Sequence, residues 1–149
     1  MRLVFMGTSQ FAVPSLYNLI LAGYDIPLVV TQPDRPAGRG KKLTPSPVKV
    51  LAEEYGLEIL QPESIRTPEF ERLIGGIKPE AAVVVAYGKI LPESIINAPR
   101  LKSVNFHGSL LPLLRGASPI EHALLHGFHE TGWTLQRIVP ELDAGDIVA

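Results

Sequence analysis

Residues 81–86 read Ala-Ala-Val-Val-Val-Ala, six apolar side chains in a row with no polar alternation. Successive residues of a strand point to opposite faces, so a strand built from this run is apolar on both. It needs cover above and below, which a central strand of a parallel sheet receives from helices on each side. The rest of the chain supplies the parts. Short apolar runs at Leu3–Met6, Ile26–Thr31, Glu58–Leu60 and Ser103–Phe106 predict further strands, and Thr131–Val139 alternates as a strand with one polar-tolerant face. Helices are predicted at Val13–Ala22, with Pro14 in the first turn and Gly23 as the stop, and at Pro47–Tyr55, capped by Ser46. Two more follow, from Thr67-Pro68 to Ile74, and from the capping box Ser118-Pro119-Ile120-Glu121 to His126. Strand and helix in alternation imply an α/β fold: a Rossmann-like, doubly wound, mostly parallel sheet. Ile147–Ala149 starts a last strand with no helix to cover it, so the expected domain is incomplete at its C-terminal end and part of a longer protein. An uncovered sheet edge predicts association or reduced stability.

Several function classes are excluded early. Gly7-Thr8-Ser9-Gln10-Phe11-Ala12 lacks the G-x-G-x-x-G spacing, and Thr31-Gln32 stands where a ribose-binding acid would close the second strand. Dinucleotide binding is therefore rejected. With no cysteine, disulfides and thiolate metal sites are impossible. His122, His126 and His129 do not follow H-E-x-x-H, and the nearby carboxylates lack ligand spacing, so no metal site is expected. A composition of 46% hydrophobic and 19% charged residues is that of a globular domain, and no apolar run is long enough to span a bilayer. Met1–Phe5 leads into a strand and not a signal peptide, which predicts a soluble cytoplasmic protein away from membranes.

The chemistry concentrates in Val104-Asn105-Phe106-His107-Gly108-Ser109-Leu110-Leu111-Pro112. Asn105 and His107 leave the strand on one face, Phe106 on the other, and Gly108 lets the chain bend before Pro112 ends any strand. In an open α/β sheet ligands bind at the carboxyl ends of the strands. There the two side chains would emerge beside Lys89-Ile90-Leu91, delivered by the 81–86 strand. A carboxylate from the last hairpin, Asp143 or Asp146, would fix the imidazole and favour its charged form. An amide and an imidazole donating to a developing oxyanion, with no obvious covalent nucleophile (Ser109 lies past the turn), point to direct acyl transfer to an amine.

Charge is unevenly spread. The net charge is −1, yet the first fifty residues carry Arg2, Arg35, Arg39, Lys41, Lys42 and Lys49 against only Asp25 and Asp34. The segment 32–47, broken by prolines and glycines, is predicted to be a long loop, and its cations suit phosphate contacts with a nucleic acid.

The run Asn105–Pro112, followed by Arg115-Gly116-Ala117 and Pro119-Ile120, resembles the signature of folate-dependent formyltransferases. Leu142-Asp143-Ala144-Gly145 is similar to that family's Leu-Asp-x-Gly turn and places Asp143 36 residues after His107. The basic segment from Thr31 to Lys42, with Pro45–Lys49, resembles the methionyl-tRNA branch of the family, which smaller members lack. The resemblance implies 10-formyltetrahydrofolate as co-substrate, no metal, and the methionine α-amine of initiator tRNA as acceptor. It implies Asn105, His107 and Asp143 as the catalytic trio. It assigns folate contacts to Lys89, Ile90, Leu91, Ser109, Leu110, Leu111, Pro112, Val139 and Leu142, and tRNA contacts to Arg39, Lys41 and Lys42. It further implies that residues 1–149 are a truncated catalytic domain, lacking a C-terminal tRNA-binding barrel, of a protein monomeric at full length. Leu113-Leu114 and Trp133 depart from the family pattern beside the trio, where packing or acceptor contacts could change. Two other readings stand beside this one: a formyltransferase acting on an amino sugar nucleotide, and a non-catalytic nucleic-acid-binding module.

Overall fold

The structure is a computed structural model and describes residues 1–37 and 42–149. Its first half contains strands β1 (Arg2–Gly7) and β2 (Asp25–Val30), the short hairpin strands β3 (Arg35–Ala37) and β4 (Lys42–Thr44), and β5 (Ile59–Leu60). Helices α1 (Val13–Leu21), α2 (Pro47–Glu54) and α3 (Pro68–Ile77) connect them. The second half runs β6 (Ala81–Val85), α4 (Glu93–Asn97), β7 (Ser103–His107), α5 (Pro119–Leu125) and β8 (Thr134–Arg137). Six strands form one sheet in the order β5-β2-β1-β6-β7-β8, parallel except for the antiparallel pair β7–β8.

The 81–86 run does become an inner strand, paired on both sides. Strand alternation sorts the core into two layers. Val4, Met6, Leu28, Val30 and Val84 face α3 and α4, where Phe70, Ile74, Ile95 and Ile96 cover them. Phe5, Val29 and Val85 face the opposite way, against Leu16 of α1 and Val48, Leu51 and Ala52 of α2. Gly7 ends β1 where a Cβ would come within 2.7 Å of the Phe5 ring and 3.0 Å of the Val85 carbonyl. The turn into α1 therefore closes tightly at the point where the strand order reverses, between β1 and β6.

Three local expectations are corrected, and one helix is added. Segment 32–47 is not all loop: β3 and β4 pair antiparallel, with Pro36 opposite Leu43. Helix α4 went unseen because five residues are too few for a periodic pattern, yet Ile95 and Ile96 are buried and each contributes about 1.5–3 kcal/mol. The 118–121 capping box does not form, since Ser118 sits in the left-handed region (φ 54°) and makes no cap hydrogen bond. An N-cap serine needs extended backbone to aim its oxygen at the first turn. The last strand reduces to a single bridge, Gln136 to Ile147.

Candidate active site

Strands β6 and β7 end side by side, with Val84 in register with Asn105. Beyond their carboxyl ends opens a cleft of about 640 Å³. The β6–α4 loop forms one wall, the Val139–Ala144 turn the other, and the end of β7 carries Asn105 and His107 into it. Val84, Tyr87, Leu91, Ile96 and Ile138 give it an apolar lining, so polar chemistry is confined to a few convergent groups.

Asn105, His107 and Asp143 are brought together there. The His107 ring is buried, and its Nε2 lies 2.9 Å from the Leu114 carbonyl. A carbonyl only accepts, so Nε2 bears the proton and Nδ1 of the neutral ring carries the lone pair. Nδ1 is 3.7 Å from Asp143 Oδ2, ion-pair distance for an imidazolium but long for a hydrogen bond. Asp143 Oδ1 lies 3.5 Å from the Asn105 amide nitrogen. Its short bonds come from elsewhere: Gln136 Nε2 donates to Oδ1 at 2.7 Å, and the Gly116 N–H donates to Oδ2 at 2.8 Å. Asp143 occupies the left-handed region (φ 46°), which aspartate tolerates better than most residues. Two residues on, a Cβ at Gly145 would overlap the Arg137 carbonyl oxygen. The Leu-Asp-x-Gly turn thus needs its glycine to press against β8.

The other expected residues divide. Ile90, Leu91, Val139 and Leu142 line the cleft, as does Lys89. The Lys89 ammonium, however, donates to the carbonyls of Pro62 and Glu63 at 2.8 and 2.7 Å, tying two loops together. Ser109, Leu110, Leu111 and Pro112 are not among the lining residues. Their turn is used up internally: Ser109 Oγ donates to Leu113 O at 2.6 Å, and Thr134 Oγ bridges the Ser109 carbonyl and the Leu111 N–H. Asp146 takes no part in the trio; its carbonyl accepts from the Arg137 N–H. Of the basic set, Lys42 is exposed on β4, while Arg39 and Lys41 lie outside the described residues. Among the described residues no group of three or more His, Asp or Glu is placed to hold a metal ion, and no helix is long and apolar enough to cross a membrane.

The formyl transferase family model matches residues 1–149. The chain belongs to the formyl transferase family. It is 54% identical over 148 residues to a methionyl-tRNA formyltransferase of Methylococcus capsulatus, covering 99% of this chain and 48% of that protein. A methionyl-tRNA formyltransferase of Geobacter metallireducens is 50% identical over the same length and also covered to 48%. The chain thus spans about half the length of the curated relatives it matches. Among solved structures, a phosphoribosylglycinamide formyltransferase from Bacillus halodurans superposes with a TM-score of 0.78 at 18% identity, covering 100% of this chain and 77% of that one. At that identity the likeness shows the fold alone.

Within this formyl transferase domain the sequence reading missed three partners of the trio: the Leu114 carbonyl, the Gly116 N–H and the Gln136 amide. The first two are backbone groups and carry no residue signature. Gln136 emerges with the β7–β8 register, which sets it directly across from Asn105. A buried amide in mid-strand needs a polar partner, and the alternation of β8 put Gln136 on a single face with Thr134. Leu114, though unlike the family pattern, supplies only its carbonyl to His107, so its side chain leaves that bond untouched.

Proposed function

We propose that this chain is the catalytic half of an enzyme that moves the formyl group of 10-formyltetrahydrofolate to the α-amine of methionine on initiator tRNA. Identities of 50–54% to three methionyl-tRNA formyltransferases over 148 residues carry the reading. The convergence of Asn105, His107 and Asp143 at the cleft supports it. The folate ring would enter between the 87–91 loop and the 139–142 turn, whose apolar walls suit a flat heterocycle. The amine nitrogen attacks the formyl carbon and the carbonyl electrons move onto oxygen. The Asn105 amide is the donor for that oxyanion; the imidazole, expected from the sequence to donate beside it, has its one N–H on the Leu114 carbonyl while neutral. His107 Nδ1, unprotonated in the tautomer fixed by Leu114, accepts the proton the amine loses, and Asp143 then faces an imidazolium. Collapse of the intermediate breaks the bond to the folate nitrogen, which takes a proton as it leaves. The tRNA would be gripped by Arg39, Lys41 and Lys42, with a barrel domain beyond this chain adding to the hold. Such an enzyme would work as a cytoplasmic monomer, where its substrates are.

Formylation by the full-length protein tests this, with methionyl-tRNA and an amino sugar nucleotide offered as separate acceptors. Formylated methionyl-tRNA is expected, and His107→Ala should lower turnover by about 10²–10⁴-fold. Formylation of the sugar alone would move the protein to the amino sugar branch. Full activity of His107→Ala would remove the imidazole from the mechanism.

A further inference from the structure

We infer that Gln136 is a positioning residue for the trio: its side-chain amide, opposite the Gly116 N–H, fixes where the Asp143 carboxylate stands relative to the His107 ring. This deepens the formyl-transfer reading and rests on it. Four groups surround the carboxylate, and only two are at full hydrogen-bond distance, Gln136 Nε2 at 2.7 Å and Gly116 N at 2.8 Å. The two trio members stand further off, at 3.5 Å from Asn105 and 3.7 Å from His107. The carboxylate is thus located by groups outside the trio, one on each oxygen, and the imidazole meets an anion already in place.

Gln136 is itself held firmly. It is 2% exposed, pairs across the ladder with Asn105 and bridges to Ile147 on its other side. Its Oε1 is buried with no partner among the described residues. A buried acceptor without a donor is unfavourable, and an apolar side chain of the same length would avoid it. What that side chain could not supply is the N–H on Asp143. Geometry explains why so small a contact matters: the loop bearing Asp143 is a turn, and a turn sets a side chain less firmly than a strand does. The amide transfers the rigidity of the β7–β8 pair to the carboxylate.

Two substitutions in the full-length protein test this. Gln136→Met keeps length and volume but loses the donor; Gln136→Glu keeps the shape and sets a second carboxylate against Asp143. Turnover should fall about tenfold in the first and about a hundredfold in the second, with KM for the folate within about twofold of wild type. Nitrogen NMR of labelled histidine supplies a readout that needs no turnover: the His107 Nδ1 signal should move in both variants, the Leu114-bonded Nε2 signal little. Wild-type turnover together with an unmoved Nδ1 signal in Gln136→Met would overturn the inference. So would a loss of folate affinity equal to the loss of turnover, because the amide would then be shaping the cleft. A wild-type protein that forms no formyl-methionyl-tRNA would sink the functional reading alone, since the spectrum reports the clamp independently.

Discussion

Tyr87 shows how a single residue at the cleft couples burial to pH. Its side chain is 2% exposed, its hydroxyl has no partner among the described residues, and burial pushes the phenol up to about 12. The folded state therefore holds the phenolic proton after the unfolded chain, at an ordinary value near 10, has released it. Stability from this source is full below pH 10 and falls as pH rises toward 12, by about 2–3 kcal/mol for two units. Tyr87→Phe removes an orphaned donor whose desolvation costs about 1–3 kcal/mol, so it should leave stability at pH 7 unchanged or higher by about 1 kcal/mol. It should also flatten the alkaline decline. Urea unfolding at pH 7 and pH 11 measures both, and an unaltered decline in the variant would assign it to other groups. The backbone of the same residue is well bonded: the Tyr87 carbonyl accepts from Thr8 Oγ and Gln32 Nε2. It pins the cleft wall to the ends of β1 and β2.

Among the elements, the turn after β8 has the most exacting geometry. Arg137 N–H donates to the Asp146 carbonyl at 2.9 Å, closing the turn, and Gly145 lies against the Arg137 carbonyl with no room for a methyl group. Gly145→Ala must push the turn off β8 and take Asp143 with it. A displacement near 1 Å at a reacting centre costs about a hundredfold, so turnover should fall by at least that much. Thermal unfolding should shift far less, because the turn is exposed and the two core layers do not touch it. Full activity in Gly145→Ala would mean the turn can relax without moving the carboxylate. How legible such elements are depends on where their determinants lie. β6 could be read from six apolar residues, and Asn105 and His107 from the period-two rule, because local sequence fixes both. Asp143 was placed by its resemblance to a family turn, since 36 residues and an antiparallel strand separate it from His107. Gln136, Gly116 and Leu114 became visible only with the register and the path of the 114–118 segment, whose left-handed Leu114 and Ser118 also undo the capping box. The hairpin β3–β4 was hidden for a related reason. Its ladder includes Pro36, and proline argues against a strand except at edges such as this.

For the molecule as a whole, the charge distribution decides how a chain of net charge −1 could hold a polyanion. Attraction cannot come from the total, so it has to be local. The basic segment is anchored at its base by a polar network. Lys49 Nζ meets Asp34 at 2.7 Å, Gln61 donates to the other Asp34 oxygen at 2.7 Å, and the Thr31 and Ser46 hydroxyls bond at 2.7 Å. The Lys49 ammonium, with Gln61 beside it, holds the Asp34 carboxyl below its usual range. Lys49 is thus already engaged, and the exposed Lys42 with Arg39 and Lys41 is the set proposed for phosphates. Arg35 stands apart, reaching Gln32, whose amide touches the cleft wall at Tyr87. Replacing Arg39, Lys41 and Lys42 together by alanine should weaken tRNA binding most at low salt. For every phosphate that is no longer neutralised, the slope of log K against log salt should drop by about one unit. Turnover at saturating tRNA should hold, because among the described residues none of the trio's hydrogen bonds involves the hairpin. Filter binding across a salt series decides the matter: a slope equal to wild type would take these three cations out of the proposed tRNA interface.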